Sequence, residues 1–402
     1  MPLLTSLHAW LPDMTQIRRD LHAWPELAFQ ETRTAETLNH LLQSWGIPTH
    51  TGLGGTGLVG HIAGKQPGRS IGLRADMDAL PMAEVNTFPH ASRNSGAMHA
   101  CGHDGHMTML LTAARYLAQE RDFSGTVHVI FQPAEEGGAG ARRMIEDGLF
   151  EDFPMDGVFG MHNWPGIPVG SFGLTDGPIM ASSSNFKVTL QGRGAHGGMP
   201  HLGVDPVVAA AQLILAYQGI LTREQDPLEA GVISVTQVRA GSADNVIPDS
   251  AELRGTVRTL TPEALDLIEA RMHDITLHLG RALRCEADFQ FIREYPATIN
   301  HSDETALCTQ VLIDLVGADQ VNARVRPSMG AEDFSFMLQE RPGCYVWIGN
   351  GTGDHRDSGH GQGPCMLHNS SYDFNDALIP LGAAYWISLV RRFLQSPESS
   401  AP

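Results

Sequence analysis

Residues 98–106 read MHACGHDGH, so one thiol, three imidazoles and a carboxylate fall within nine positions, spaced by small residues. Cys101 and His103 stand two apart with Gly102 between them, and a glycine there lets the backbone turn until both side chains face one point. Thiolate with imidazole is a borderline-soft donor pair, suited to zinc, nickel, cobalt or manganese. Two ligands do not complete a site, so other segments must supply more. The pair Glu135-Glu136 is the second signal. Adjacent carboxylates repel, and a buried pair needs a cation nearby. On an extended segment they point opposite ways, so one can bind metal while the other faces a substrate. His162, His368 and the pair Asp76 and Asp78 are weaker signals, since each alone reads as a core, loop or capping residue.

The elements that must carry these residues alternate. Residues 13–47 read as a helix capped by Asp13 and interrupted at Pro25. Short apolar runs at 57–63 and 70–75 read as buried strands, the second ending at Asp76. A helix is expected over 107–119, a strand over 126–131 with Glu135 just beyond it, a helix over 141–147, and a strand over 158–162 ending in His162. That alternation predicts an open three-layer αβα sheet, in which polar residues at strand C-termini gather into one crevice. Near Met180 the pattern changes to β-α-β-β-α-β, with strands expected at 185–191, 232–238, 251–260 and 287–292. Asp205-Pro206 and Thr261-Pro262 each pair an N-cap with a proline at the first helical position. Helix and strand alternation returns after Tyr295. Residues 181–294 therefore read as an α+β, ferredoxin-like domain inserted into a catalytic domain formed by 1–180 and 295–402. The tail 396–402 is expected to fray.

With 402 residues, 42% of them apolar, the chain is long enough for two cores. A net charge of -18 argues against nucleic acid and anionic membranes as partners. Five scattered cysteines without a CxxC pair form no disulfide framework and fit a reducing cytoplasm. The N-terminus shows no signal-peptide pattern, and no apolar run is long enough for a membrane span.

Seven motifs occur in order: LRADMDALP at 73–81, HACGHDGH at 99–106, FQPAEEG at 131–137, GAHGGMPH at 194–201, NVIP at 245–248, GAEDF at 330–334 and HNSSY at 368–372. Together they resemble the M20 metallopeptidase family in its amidohydrolase (M20D) branch, which includes hippurate hydrolases, N-acyl-amino-acid amidohydrolases and plant auxin-conjugate hydrolases. The resemblance spans nearly the whole chain. It implies two divalent ions (Zn, Mn, Co or Ni) held by Cys101, His103, Glu136, His162 and His368, with Glu135 as general base. Many relatives carry Asp at the His103 position and His at the Asp76 position, so the Cys-x-His version implies that Asp76 is not a ligand. Asp78 and Asp104 are expected to stand behind the ligands and orient them. His196 resembles the residue that reaches the substrate carbonyl from the inserted domain, usually of the partner subunit. Asn245 and Arg258, with Gly330 and Glu332, resemble the substrate-binding groups. The implied activity is hydrolysis of N-acyl or N-aroyl amino acids, hippurate-like ones first, by a homodimer or homotetramer. A metallo-dipeptidase or aminopeptidase, with Glu332 facing a free amine, and an N-acetyl amino acid deacetylase are the alternatives. A non-catalytic metal-dependent binding protein is the reading from another class, and the intact Glu135 argues against it.

Overall fold

The strand Gln66–Asp76 is buried from Ile71 to its end, with Ile71, Leu73 and Ala75 in the core and Arg74 and Asp76 as its buried charges, and its neighbour Ser124–Gln132 buries Val127, Val129, Ile130 and Phe131. Near-continuous apolar runs of this kind belong to parallel strands covered on both faces. The computed structural model describes residues 2–395, and the tail expected to fray lies outside them. It places these strands at the centre of an eight-stranded mixed sheet. The spatial order is Thr49–Leu53, Gly57–Ala63, Ser124–Gln132, Gln66–Asp76, Gly157–Pro165, Gly343–Gly351, Phe172–Gly173 and Val321–Asn322. The middle four are parallel, with Leu73 between Val129 and Phe159. The chain is mixed α/β.

The connections fix where a site can form. From Gln66–Asp76 the chain runs through the helix His103–Glu120 to the neighbouring strand on one side. It then runs through the helix Gly140–Glu146 to the neighbour on the other side, Gly157–Pro165. The order of connections reverses here, and loops leaving the carboxyl ends of adjacent strands at such a switch open a crevice. The first two strands release ligand-type residues at that end, whereas the third runs on to Pro165, past its expected end at His162, and presents His162 from within the strand. The helix His103–Glu120 packs against Pro2–Ala23, Leu378–Gln395 and the sheet, which is why it is buried almost all round.

The first helix departs from the sequence expectation. It spans Pro2–Ala23, eleven residues earlier than expected, with Asp13 in its interior rather than at its cap. Leu3, Leu4, Leu7, Trp10 and Leu11 continue the apolar stripe upstream and pack on the core, and that burial outweighs the hydrogen bond lost at Pro12. The next helix, Thr32–Ser44, starts only after Glu31, whose side chain is used elsewhere.

The described residues divide into two units, the first comprising those up to Ile179, Ile299–Arg326 and those from Asp333 onward, the second Met180–Thr298 and Pro327–Glu332. In the second unit a four-stranded antiparallel sheet runs Gly231–Ala240, Ser250–Thr259, Ser183–Gln191, Glu286–Tyr295, with helices Pro206–Arg223 and Pro262–Ala282 packed on it. Its core is built from Phe186, Val188, Leu213, Tyr217, Leu253 and Ile268. Asp205 accepts hydrogen bonds from the amides of Val207 and Val208, and Thr261 from that of Ala264, caps worth about 1 kcal/mol each. The strap Pro327–Glu332, which sequence reading leaves with the catalytic domain, groups with this unit: the Ala181 amide donates to the carbonyls of Ser328 (3.0 Å) and Gly330 (2.9 Å). Among the described residues no helix is long and apolar enough to cross a membrane.

Candidate active site

Gly102 ends the loop before the helix His103–Glu120 with φ +89°, and a Cβ there would lie 2.3 Å from Asn163 Nδ2 and 2.4 Å from Tyr372 Oη. Glycine is thus required twice, for the turn and for the space. The turn brings Cys101 Sγ to 3.3 Å from Nε2 of His162 on Gly157–Pro165. Ligand-type atoms of Cys101, His103 and His162 all lie within 4.8 Å of one another, as do those of Cys101, Glu136 and His368, and those of His103, Glu135 and Glu136. Glu135 and Glu136 stand just beyond the strand Ser124–Gln132, and His368 is brought in by its amide, which donates to the Ala100 carbonyl (2.8 Å).

The imidazoles are aimed by their far nitrogens. His103 Nδ1 donates to the carbonyl of Asp78 (2.8 Å), leaving Nε2 facing the cluster with no hydrogen-bond partner. His162 Nδ1 donates to the Asn163 carbonyl (2.6 Å), turning Nε2 toward Cys101 Sγ. Glu136 Oε1 is buried without a hydrogen bond, although His368 Nε2 approaches to 3.1 Å. Lone pairs turned toward one point, buried and unpaired, are what a divalent cation satisfies and what a polar core avoids. His106 is different. Its Nδ1 donates to Asp76 (2.7 Å) and its Nε2 accepts from the Asn163 amide (2.9 Å), so neither nitrogen is left for a metal.

Charge points the same way. Burial and the carboxylates of Glu136, Glu135 and Asp76 push the Cys101 thiol up, so a thiolate forms there only with a cation to offset it. Burial and the neighbouring His106 hold His162 neutral, well below the usual imidazole range. Burial opposes charge on His103, but Asp76, Asp78 and Glu136 outweigh it and push the ring up to about 10. The donor set therefore fits divalent metal.

The expected orienting residues divide. Asp78 accepts from the amides of Glu135 and Glu136 with its two carboxylate oxygens, both at 2.9 Å, so its side chain holds the acidic loop while its carbonyl aims His103. Asp104 does not face the ligands. Its carboxylate accepts from His22 Nδ1 (2.8 Å) and Arg18 (3.4 Å), because the helical turn after His103 directs it toward the first helix. Sequence reasoning missed Arg74, Asn163, Tyr372 and Asp333. Tyr372 Oη donates to Asn163 Oδ1 (2.7 Å), and Asn163 Nδ2 donates to the Cys101 carbonyl (2.6 Å), fixing the thiol-bearing turn. Adjacency to His162 and membership of the HNSSY and GAEDF motifs were the available signals.

Strained backbone concentrates here. Of six non-glycine residues with positive φ among the described residues, Ala134 and Ala139 flank the acidic pair, His368 is a ligand candidate, and Phe29 lies against Gly138. Such conformations persist only where surroundings impose them.

The second unit carries the other named residues. His196, exposed on a short strand paired with Val246–Ile247, accepts the Gly198 amide at Nδ1 (3.0 Å), which leaves Nε2 as the donor in the neutral ring. Asn245 is exposed and its carbonyl accepts from Gly197 (2.7 Å). Arg258 is half-buried beside Thr256 on the strand Ser250–Thr259. Gly330 donates to Ser328 Oγ (3.0 Å), and Glu332 is 2% exposed.

Residues 72–392 match the family described as Peptidase family M20/M25/M40. The chain belongs to that family. It is 39% identical to a hippurate hydrolase of Campylobacter jejuni, across 95% of this chain and 97% of that protein. It is 37% identical to an N-acetyl-L-cysteine deacetylase of Bacillus subtilis, across 96% of this chain and 89% of that one. Among solved structures, the Bacillus subtilis YXEP protein, described as a dinuclear metal binding peptidase from the M20 family, superposes with a TM-score of 0.83 at 32% identity. That match covers 97% of this chain and all of the YXEP chain.

Proposed function

We propose that this M20 enzyme hydrolyses the amide bond of N-acyl or N-aroyl amino acids, hippurate-like ones first, releasing a carboxylic acid and an amino acid. The observation that carries the reading is a buried carboxylate, Glu135, beside converging donor atoms of which His103 Nε2 and Glu136 Oε1 are buried without a hydrogen-bond partner. Cys101, His103 and His162, with Glu136 and His368, would hold two divalent ions, Cys101 belonging to both groups. Such ions supply Lewis acidity, polarising an amide carbonyl and acidifying water toward neutrality. Glu135 takes the proton of the attacking water and returns it to the leaving nitrogen. His196, its Nδ1 occupied, donates from Nε2 to the developing oxyanion. Arg258 and Asn245 are assigned to the substrate carboxylate, for which a guanidinium fork is the matched donor.

The curated relatives' names support acyl-amino-acid substrates. Five free, buried cysteines support a reducing, cytoplasmic setting. The substrate is a small molecule and the assembly a homodimer or homotetramer, with His196 acting across the dimer or after domain closure. Mixing Glu135→Gln with His196→Ala chains separates the two: action across subunits restores activity that neither has alone, and action within one chain does not.

The test is a substrate panel on apo enzyme reloaded with zinc, manganese, cobalt or nickel. N-benzoylglycine and N-acetyl amino acids should be cleaved and a free dipeptide should not. Equal or faster dipeptide cleavage contradicts the reading.

A further inference from the structure

The segment from Pro133 to Gly140 carries Glu135 and Glu136, and its shape is costly: Ala134, Gly137 and Ala139 all have positive φ. It lies between a strand and a helix, so regular pairing does not hold it, and side chains from elsewhere must. Glu31 accepts the Ala134 amide (2.9 Å), and Asp78 accepts those of Glu135 and Glu136. Asp333 does something neither of these does. One of its oxygens accepts the amide of Ala141, just past the loop (2.9 Å). Both accept from Gln132 Nε2, just before it (2.8 and 2.9 Å). The same carboxylate takes Arg74 Nη2 (3.0 Å), while Arg74 Nε donates to Gln132 Oε1 (2.7 Å) and Nη1 to Asp76 (2.8 Å). Asp76 in turn receives His106. One fully buried carboxylate thus ties both ends of the acidic loop to the charge network behind the imidazoles.

We propose that Asp333 is the positioning residue for Glu135: its carboxylate clamps the two ends of the loop at Gln132 and Ala141 and sets where the base stands. This rests on the hydrolytic reading above for its catalytic consequence, though not for the clamp itself. Every group facing Asp333 in these bonds is a donor, so an amide in its place turns its NH2 toward one of them and satisfies one end of the loop at the expense of the other. Misplacing a catalytic group by about 1 Å costs on the order of a hundredfold in rate.

The test compares Asp333→Asn with wild type in metal content, amide hydrogen exchange over 133–141, kcat and KM. The clamp predicts wild-type metal content, exchange in that loop faster by about tenfold or more than elsewhere, kcat down by about ten- to a hundredfold and KM nearly unchanged. A raised solvent isotope effect on kcat is also expected, since proton transfer becomes slower relative to other steps. Gln132→Ala removes one anchor and leaves the buried charges paired; it should show the same pattern at about three- to tenfold, and it decides the matter if Asp333→Asn does not fold. Unchanged loop exchange in the folded variant, kcat within twofold of wild type, or a kcat loss that merely follows lost metal overturns the proposal. A wild type that cleaves no acyl amino acid defeats the functional reading instead, and hydrogen exchange still tests the clamp.

Discussion

Two buried polar clusters meet at the first turn of the helix His103–Glu120, and they differ in what balances their charge. His103 faces a cluster in which Asp76, Asp78, Glu135 and Glu136 surround donor atoms left unpaired. Asp104, one residue on, faces Arg18 and His22, and Arg18 also reaches Asp373 (3.0 Å) and Asp376 (2.6 Å). Burial is equally complete in both. The second cluster contains its own cations and is a structural joint between the first helix, this helix and the chain near residue 373. In the first, the guanidinium of Arg74 is paired with Asp76 and Asp333 behind the imidazoles, and the ligand side is completed from outside. A dense run of His, Cys and Asp is therefore no guide by itself; what separates ligand from strut is whether the atoms facing the cluster already have protein partners.

The contrast breaks most sharply at Glu135. Glu135→Gln keeps nearly the same shape and should retain bound metal while kcat falls by about a hundred- to ten-thousandfold, read by steady-state kinetics alongside elemental analysis. Arg18→Ala should do the opposite. It leaves Asp104 with His22 alone and Asp373 without its buried guanidinium, and denaturant unfolding should show a loss of about 3–5 kcal/mol, with kcat per folded, metal-loaded molecule close to wild type. Cys101→Ser, which removes a soft anionic donor, should weaken metal affinity by about a hundredfold in a competition titration while leaving the apo protein's unfolding midpoint nearly unchanged.

The smallest effect is in pH. Burial opposes charge on His22, but Asp104 and Glu84 outweigh it and push the ring up to about 10 from 6.5. A raised pKa stabilises the fold through the protonated form. Its contribution is full below about pH 6.5 and is lost as pH rises through about 10. Thermal melts of His22→Gln should start lower at pH 6.5 and fall less toward pH 10 than those of wild type. Parallel melting curves would mean that His22 is neutral in the folded protein.

How much of this was legible in sequence follows from distance along the chain. Cys101 with His103, and Glu135 with Glu136, announce themselves because their partners are one or two positions away. Thr261-Pro262 and Asp205-Pro206 mark helix starts through local capping rules. The alternation of elements foretold a mixed α/β chain. The upstream start of the first helix was missed because Pro12 reads as a breaker, while the burial that overrides it comes from distant contacts. Asp104 was misassigned because the run HACGHDGH says nothing of which way each side chain leaves the helix. Arg74 and Asp333 lie 259 residues apart, and no periodicity or local spacing couples them. Within GAEDF the eye goes to Glu332, and only coordinates show the next carboxylate holding the acidic loop.

The most direct test counts ions in a protein that cannot turn over. Purified Glu135→Gln, stripped and reloaded with zinc or manganese, should bind two ions per chain by elemental analysis, and His103→Ala in the same background should bind fewer. A Glu135→Gln protein that binds no divalent ion, or one that binds two and still hydrolyses acyl amino acids at the wild-type rate, contradicts the account.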